Sequence, residues 1–283
     1  MKVCVVIAAR NAAATIGDQL DALAEAEDPP EEWEVIVCEN GSTDGTREVA
    51  ERFSGRLPLR TIEVLGEPSV GRARNAGVAA SDADAAIFCD ADDVVSPTFL
   101  RAMVGALERH EAVGARAELE LLNDPWTLAP RDDVDGLRIL PFPPHLPFAS
   151  GYGLGVRRAC HDEIGGFDES IALEDVDYSI RLQRAGVTLH YEPSAVVHYR
   201  TRKKLGGISR QAFGYANAFA LLQKRYGEGT DGPAWAWPIR GWKHVLGAVP
   251  DATSQAGRAT LAWRAGWQAG RIAGSVRYRV LAA

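Results

Sequence analysis

The feature that most constrains the fold is the regular alternation of short apolar runs with segments of helical composition over the first 110 residues. The run Val3–Ala9 is apolar throughout and rich in valine, as expected for a strand buried on both faces. The predicted strands are Val3–Ala9, Glu34–Cys38, Leu59–Leu65 and Ala85–Cys89, and the predicted helices are Ala12–Ala26, Thr43–Phe53, Ser69–Ala80 and Ser96–Arg109. Strands and helices that alternate through short connections favour a parallel, three-layer α/β sheet.

Polar residues stand where several of these strands end. Arg10 follows the first strand, Glu39 and Asn40 follow the second, and Asp90 follows the fourth. Because the carboxyl ends of parallel strands meet at one edge of a sheet, we expect a binding site at that edge.

Three carboxylates crowd the end of the fourth strand. In the stretch FCDADDVV, Asp90, Asp92 and Asp93 occupy three of four consecutive positions, and like charges this close repel. The turn after the first strand has neither the GxGxxG nor the GxxxxGK[ST] pattern of glycine-rich phosphate loops. A divalent cation is the alternative partner, since Mg²⁺ or Mn²⁺ takes one or two carboxylates and completes its shell with phosphate oxygens and water.

The rest of the chain divides into an irregular stretch, a return to regular structure and a basic tail. Residues 111–150 are predicted to be less regular, and they contain the proline-rich run Leu140–Pro147, which predicts an ordered loop or extended segment. Regular structure is predicted at Gly151–Arg158, as a helix at Leu173–Ala185, as a strand at Thr188–His198, and as helices at Lys204–Tyr226, Trp235–Leu246 and Gln255–Leu281.

Charge changes sign near residue 200. Residues 1–199 carry 17 Lys/Arg and 35 Asp/Glu, a net charge of −18, whereas residues 200–283 carry 14 and 3, a net charge of +11. Five of the seven tryptophans also lie in the second part. We therefore predict a catalytic domain over residues 1–199 and a basic, Trp-rich helical region over residues 200–283.

The motifs, taken in order, carry a family resemblance. The series CVVIAARN, VIVCENGSTDGT, GRARNAG, FCDADD, GGFDES with LEDVDYSIRLQRAG, and VVHY resembles the inverting, bacterial family 2 glycosyltransferases over about residues 3–199. The resemblance implies a GT-A-type, Rossmann-like three-layer sandwich with a mostly parallel sheet. The C-terminal helical appendage falls outside the resemblance.

The resemblance also implies a donor site for a nucleotide-diphosphate sugar and a bound Mn²⁺ or Mg²⁺. Asp92 and His198 are the implied metal ligands. The implied donor-binding residues are Ala9, Arg10, Glu39, Asn40, Arg72, Arg74, Asp90 and Ala91. Glu39 and Asn40 stand where the family usually has two acids that contact the nucleotide base. A UDP-sugar is favoured, but because of this departure a GDP- or dTDP-sugar stays open.

The catalytic residues implied by the resemblance are Asp175, as general base, and its neighbour Glu174. Inversion requires one base to take the proton of an acceptor hydroxyl during a single displacement. Gly151 and Tyr152 are predicted to border the acceptor, and Trp126 and His145 are further predicted contacts.

Other functions and partners stay open at this stage. A nucleotidyltransferase is disfavoured by Ala12-Ala13-Ala14 after the first strand, and a non-catalytic nucleotide-sugar-binding module is disfavoured by the intact acidic motifs. The tail suits peripheral contact with a membrane and a lipid-linked acceptor, or packing that includes a homodimer interface, whereas no RNA-binding signature accompanies its charge. Four cysteines without metal-ligand spacing and the lack of a signal peptide or a long apolar span predict a cytoplasmic protein, peripheral on the inner face of the cell membrane where it contacts lipid.

Overall fold

The predicted α/β architecture is confirmed by the computed structural model, which describes residues 1–131, 136–228 and 236–281. The strands are β1 (Val3–Ala9), β2 (Trp33–Glu39), β3 (Leu59–Glu63), β4 (Ala85–Asp90), β5 (Val94–Val95), β6 (Ala112–Glu118), β7 (Arg138–Ile139), β8 (Pro147–Phe148), β9 (Leu154–Arg157) and β10 (Leu189–His198). The helices are α1 (Ile16–Ala24), α2 (Thr46–Glu51), α3 (Val70–Ala79), α4 (Phe99–Leu107), α5 (Pro125–Leu128), α6 (Arg158–Glu163), α7 (Glu174–Arg184), α8 (Leu205–Tyr226), α9 (Ala236–Gly247) and α10 (Gln255–Tyr278).

One mixed, mostly parallel sheet organises the first part of the chain. Its strand order is β3-β2-β1-β4-β9-β6-β10-β5. β1 pairs in parallel with β2 and β4, and β6 pairs in parallel with β10. Only β9 and β5 run antiparallel to their neighbours in this sheet. The ends of β2, β1 and β4 therefore lie side by side at one edge, where the sequence predicted a site.

Alternate residues of the central strands face two helical layers. Val5 and Ile7 of β1 belong to an apolar cluster with α1 and α4, whereas Cys4 and Val6 belong to a second cluster with α3 and α7. A strand covered on both faces needs an unbroken apolar run, which is the pattern of β1. All four cysteines are buried free thiols.

The stretch predicted as irregular contains a seven-residue strand, and that prediction was wrong there. β6 (AVGARAE) has a glycine and two charged residues, so it lacks the apolar run that marks the other strands. Glycine is required at position 114 because the side chain of Leu137 lies close to its backbone. A Cβ on residue 114 would lie 2.6 Å from that side chain. Pairing with β10, from Leu189 opposite Ala112, supplies the order that local sequence does not.

The second helix begins later than predicted. The helix was predicted from Thr43, but α2 starts at Thr46, after Gly45 with φ of 82°. The hydroxyl of Ser42 instead accepts the Asn11 N–H, and Asp44 accepts the N–H groups of Ala13 and Thr46. These bonds tie the turn after β2 to the turn after β1.

The chain forms two compact units. The first comprises Met1–Glu118, Asp135–Arg138 and Pro147–Arg200, and the second comprises Leu119–Val134, Ile139–Leu146 and Thr201–Ala283. The domain division at residue 199 stays a prediction. Trp235, where the predicted helix Trp235–Leu246 begins, lies outside the described residues. Within the described residues, no helix is both long and apolar enough to span a bilayer.

Helices α8 and α10 of the second unit pack backbone to backbone. Cβ atoms added at Gly266, Gly270 and Gly274 of α10 would lie 2.3, 2.2 and 3.0 Å from the carbonyl oxygens of Ser209, Phe213 and Asn217 of α8. Any side chain at these glycines would force the two helices apart.

We expect Gly270→Ala to lower the free energy of unfolding by about 1–3 kcal/mol, because the added methyl group has no space against the α8 backbone. Gly214 of α8 has open space around it, with no atom within 4 Å of the position that a Cβ would take, so Gly214→Ala is the matched control and should be neutral or stabilising. Urea unfolding of both variants measures the difference. Equal stability of the two variants would contradict the close packing of α8 on α10.

Candidate functional site

The three acidic residues after β4 form one cluster. Asp90 ends β4, and Asp92 and Asp93 lie in the turn that leads to β5. One oxygen from each carboxylate lies within 4.8 Å of the others. A cluster of carboxylate oxygens this close offers the ligands that Mg²⁺ and Mn²⁺ prefer.

Asp93 is the most buried acid of the cluster, with 1% of its surface exposed. Its Oδ1 accepts the Arg200 N–H at 2.7 Å, whereas its buried Oδ2 has no hydrogen-bond partner. Burial, with the charges of Asp90 and Asp92, raises the pKa of Asp93 well above its usual range. An unpartnered buried carboxylate oxygen beside two further carboxylates fits a divalent cation.

Arg200 belongs to this acidic turn, although the sequence assigned it to the basic surface of the tail. Its Nε donates to the carbonyl of Asp92 at 2.7 Å, and its Nη2 donates to Asp18 at 2.8 Å. The antiparallel pairing of β5 with β10 brings it there, and a two-residue strand gives almost no sequence signal.

His198 lies at the end of β10, opposite Val94 of β5, and outside the three-carboxylate cluster. Its Nδ1 is 2.6 Å from Oε2 of Glu118 on β6. An imidazole whose Nδ1 is held by a carboxylate has a fixed ring orientation, which is common among metal-binding histidines. Its role as a ligand stays a prediction.

The two arginines of GRARNAG occupy opposite environments. Arg72 lies on the surface, where its Nε donates to Glu169 at 2.8 Å and its Nη1 to the carbonyl of Glu67 at 2.9 Å. Arg74 is only 2% exposed; its Nη2 donates to Asp90 at 2.8 Å and its Nη1 to Glu174 at 2.7 Å. Arg74 therefore joins the acidic cluster to the start of α7.

Glu174 and Asp175 open α7 but have different partners. Glu174 is buried against Arg74, and burial raises its pKa while the guanidinium opposes the rise. Asp175 is half-buried; its Oδ2 accepts the Gly151 N–H and its Oδ1 accepts the Val176 N–H, each at 2.8 Å. Burial also raises the pKa of Asp175, and Arg74 and the two N–H donors oppose that rise.

The end of β2 is hydrogen-bonded to the loops beside it. The Asn40 N–H donates to the Ala9 carbonyl at 3.0 Å. The side-chain Nδ2 of Asn40 donates to the Val64 carbonyl at 2.9 Å, and its Oδ1 accepts the Ser69 N–H at 2.8 Å. Glu39 is also buried and accepts the Ser42 N–H. Both polar atoms of the Asn40 side chain are therefore bonded to neighbouring loops. Its contact with a nucleotide base stays a prediction.

The remaining predicted residues are divided between the two compact units. Ala9 and Ala91 are buried and Arg10 is exposed, all in the first unit. Gly151 and Tyr152 are also in the first unit, where the Tyr152 ring lies 5.4 Å from that of Tyr199. Trp126, on α5, and His145, in a turn where its Nδ1 is 3.0 Å from the Leu140 carbonyl, belong to the second unit.

Solved structures with a similar fold include the mannosyltransferase PcManGT from Pyrobaculum calidifontis in complex with GDP-Man and Mn²⁺. The two share 16% identity with a TM-score of 0.67, covering 96% of this chain and 86% of that one. At this identity the likeness concerns the fold alone, and it agrees with the predicted GT-A-type architecture.

Curated relatives of this chain include two glycosyltransferases. The probable glycosyltransferase YdaM of Bacillus subtilis (strain 168) is 25% identical over 210 residues, which cover 69% of this chain and 50% of YdaM. The N-acetylglucosaminyl-diphospho-decaprenol L-rhamnosyltransferase of Mycobacterium tuberculosis is 28% identical over 254 residues, covering 73% of this chain and 80% of that enzyme. The chain therefore spans only half the length of the first relative but most of the second.

Two family models match the chain. The one described as "Glycosyl transferase family group 2" matches residues 141–269, so the similarity extends into the tail, which the sequence resemblance had left out. The one described as "Glycosyl transferase family 2" matches residues 4–165, more than half of the chain. The chain belongs to glycosyl transferase family 2.

Proposed function

We propose that this protein transfers a sugar from a nucleotide-diphosphate donor to an acceptor hydroxyl, with inversion and with the help of a divalent cation. The observation that carries the proposal is the link made by Arg74, whose guanidinium joins Asp90 of the acidic cluster to Glu174, next to Asp175. One site then has acids for a cation and a separate acid for proton transfer. The family membership and the GDP-Man and Mn²⁺ bound to PcManGT support this chemistry.

Asp92, with Asp90 and Asp93 beside it, would hold Mn²⁺ or Mg²⁺. A bound cation of this kind supplies positive charge that stabilises a departing nucleoside diphosphate. His198 is a further proposed ligand, because Glu118 holds its Nδ1 and Nε2 is then the atom left for a metal.

Asp175 is the proposed general base. Glu174 is held in its ion pair with Arg74, so Asp175 is the acid of the pair that can accept a proton from the acceptor hydroxyl. The hydrogen bonds from the Gly151 and Val176 N–H groups hold the Asp175 carboxylate in place and leave lone pairs for that proton. Attack on the face opposite the leaving group completes a single displacement without a covalent intermediate.

The donor and acceptor are proposed by class. We propose a UDP-sugar donor whose nucleotide lies over the ends of β1 and β2, near Arg10 and Glu39. Thermal-shift screening of UDP-, GDP- and dTDP-sugars with Mn²⁺ distinguishes the bases. The proposed acceptor is a lipid-linked hydroxyl, bordered by Gly151 and Tyr152.

We expect removal of the divalent cation by EDTA to abolish transfer, and Asp92→Asn to lower kcat/KM by about 100-fold or more, because charge on the leaving diphosphate is then uncompensated. Asp28, an exposed acid paired with Arg101, provides the control Asp28→Asn, which should keep full activity. Product formation is measured by chromatography with added Mn²⁺ or Mg²⁺. Full activity of the chelated protein would refute the metal dependence.

We expect Asp175→Asn to lower kcat by about 10²–10⁴-fold while donor binding is retained, because an amide cannot accept the proton. In the unchanged protein, kcat/KM should fall as the pH drops through the pKa of Asp175, since the base works only when ionised. That pKa is raised by burial, so the loss should set in above the pH range of an ordinary aspartate. Asp162→Asn, at an acid paired with Arg158 on the surface, is the control. Full transfer by Asp175→Asn would rule out the base assignment.

A membrane surface is the proposed partner of the second unit. Trp242, Leu246 and Val249 of α9 and the turn after it are 48%, 66% and 51% exposed, and their spacing places them on one side of a helix. Residues 201–283 carry 13 Lys/Arg and 3 Asp/Glu, a net charge of +10. Exposed Trp and Leu among cations suit the interface of an anionic bilayer, where a lipid-linked acceptor would be presented.

We expect Leu246→Ser to weaken binding to vesicles of phosphatidylglycerol and phosphatidylcholine by about tenfold, because an inserted leucine side chain is lost. Leu65→Ser is the matched control, since Leu65 is 76% exposed in the other unit. Cosedimentation measures the partition, and analytical ultracentrifugation measures mass. If Leu246→Ser instead dissociates a dimer and leaves vesicle binding unchanged, the exposed side is a protein interface.

A further inference from the structure

We propose that Gly151 is a positioning residue for the base: its missing side chain makes room for the Arg74 guanidinium, and its N–H holds the Asp175 carboxylate. The proposal rests on the role of Asp175 given above. It gives Gly151, in addition to its proposed place beside the acceptor, an action through two other side chains.

The space at Gly151 is already filled. A Cβ added there would lie 2.2 Å from both Nη1 and Nη2 of Arg74 and 2.4 Å from its Cζ. Real Cβ atoms do not approach other heavy atoms this closely, so an alanine would displace either the guanidinium or the backbone of residue 151.

The guanidinium has no easy way to move aside. Both of its terminal nitrogens are in ion pairs, with Glu174 and Asp90. Its Cζ lies 5.5 Å from the ring centre of Phe167 and 6.0 Å from that of Phe88. Breaking the pair with Glu174 would leave a buried carboxylate uncompensated, which is costly.

Side-chain volume, rather than backbone conformation, is what requires glycine here. Gly151 is not one of the glycines with positive φ, so its backbone is open to other residues. The same residue donates its N–H to Oδ2 of Asp175 at 2.8 Å, while Val176 holds Oδ1. Contact with Arg74 and the bond to Asp175 are therefore coupled through one backbone position.

The consequence is a link between packing and the ionisation of the base. If an alanine shifts residue 151, Asp175 loses an N–H donor, and donors of this kind stabilise a carboxylate. If it shifts Arg74 instead, Asp175 loses a nearby positive charge. Both changes raise the pKa of Asp175, since Arg74 and the Gly151 N–H each lower it.

The test compares the pH dependence of kcat/KM in Gly151→Ala and Gly153→Ala. Gly153 is the matched control, because a Cβ there would lie 2.5 Å from the Cβ of Ala115 and so is also crowded, but by a different neighbour. We expect Gly151→Ala to lower kcat about tenfold or more. We also expect the acidic limb of the profile, where kcat/KM falls as the pH drops, to move to higher pH by about half a unit or more. Gly153→Ala should leave the limb in place, whatever it does to stability.

A double-mutant cycle with Arg74→Lys tests the coupling. We expect Arg74→Lys alone to move the acidic limb upward as well, and the two changes together to cost less than the product of their separate losses in kcat/KM. Thermal melting confirms that each protein is folded, and Arg74→Lys keeps the prediction testable if Gly151→Ala does not fold.

Two outcomes would overturn the proposal. One is a Gly151→Ala profile with lower amplitude but an unmoved limb, and the other is an equal shift in Gly153→Ala. Asp175→Asn, measured alongside, tests the base separately. Loss of transfer in Asp175→Asn together with an unmoved limb in Gly151→Ala would refute only the positioning role.

Discussion

The candidate site depends on one buried guanidinium, that of Arg74. Arg74 lies between Asp90, at the end of a central strand, and Glu174, at the start of α7, with 2% of its surface exposed. Removing a guanidinium from water is costly, and only close pairing with both carboxylates compensates for it. Glu174, which is buried, depends on the arginine in return. The strand end and the helix start are thereby fixed relative to each other, which brings together acids that are 84 to 85 positions apart in sequence, Asp90 and Asp175 among them.

The acids of this region differ in whether each carboxylate oxygen has a hydrogen-bond partner. Glu174 is paired with Arg74, and one oxygen of Asp93 is bonded to the Arg200 N–H. The other oxygen of Asp93 is buried without a partner, and its neighbours Asp90 and Asp92 raise the free energy of its charged form. Repulsion among these carboxylates opposes folding, because each raises the free energy of its neighbours' charged forms. The uncompensated charge of this turn is the observation on which the proposed divalent cation rests.

The sequence predicted the parts of the fold whose signals are local. β1 has an unbroken apolar run and matches its predicted bounds, and Ser69 caps α3 through the Arg72 N–H. β6 was missed because its order comes from pairing with β10, more than 70 residues away. The candidate site shows the same limit, since its residues Asp90 and Asp175 stay predictions that rest on motif order. Motif order identified Asp90 and Asp175, but the burial of Arg74, the placement of Arg200 at the acidic turn and the contact of Gly151 with Arg74 are tertiary, and no spacing pattern encodes them.

Arg72 and Arg74 show why the tertiary part of the site is decided by small residues. Residues two positions apart on a helix lie about 200° apart around its axis. One of the two arginines therefore faces the sheet when the other faces solvent. α3 can lie close to the sheet because Gly77 has no side chain. A Cβ there would be 2.4 Å from the side chain of Val6. That approach brings Arg74 to the strand ends, and Gly151 leaves the volume that its guanidinium fills. A large charged residue is thus accommodated by glycines on two separate segments, and one of these glycines, Gly151, also holds the Asp175 carboxylate through its N–H.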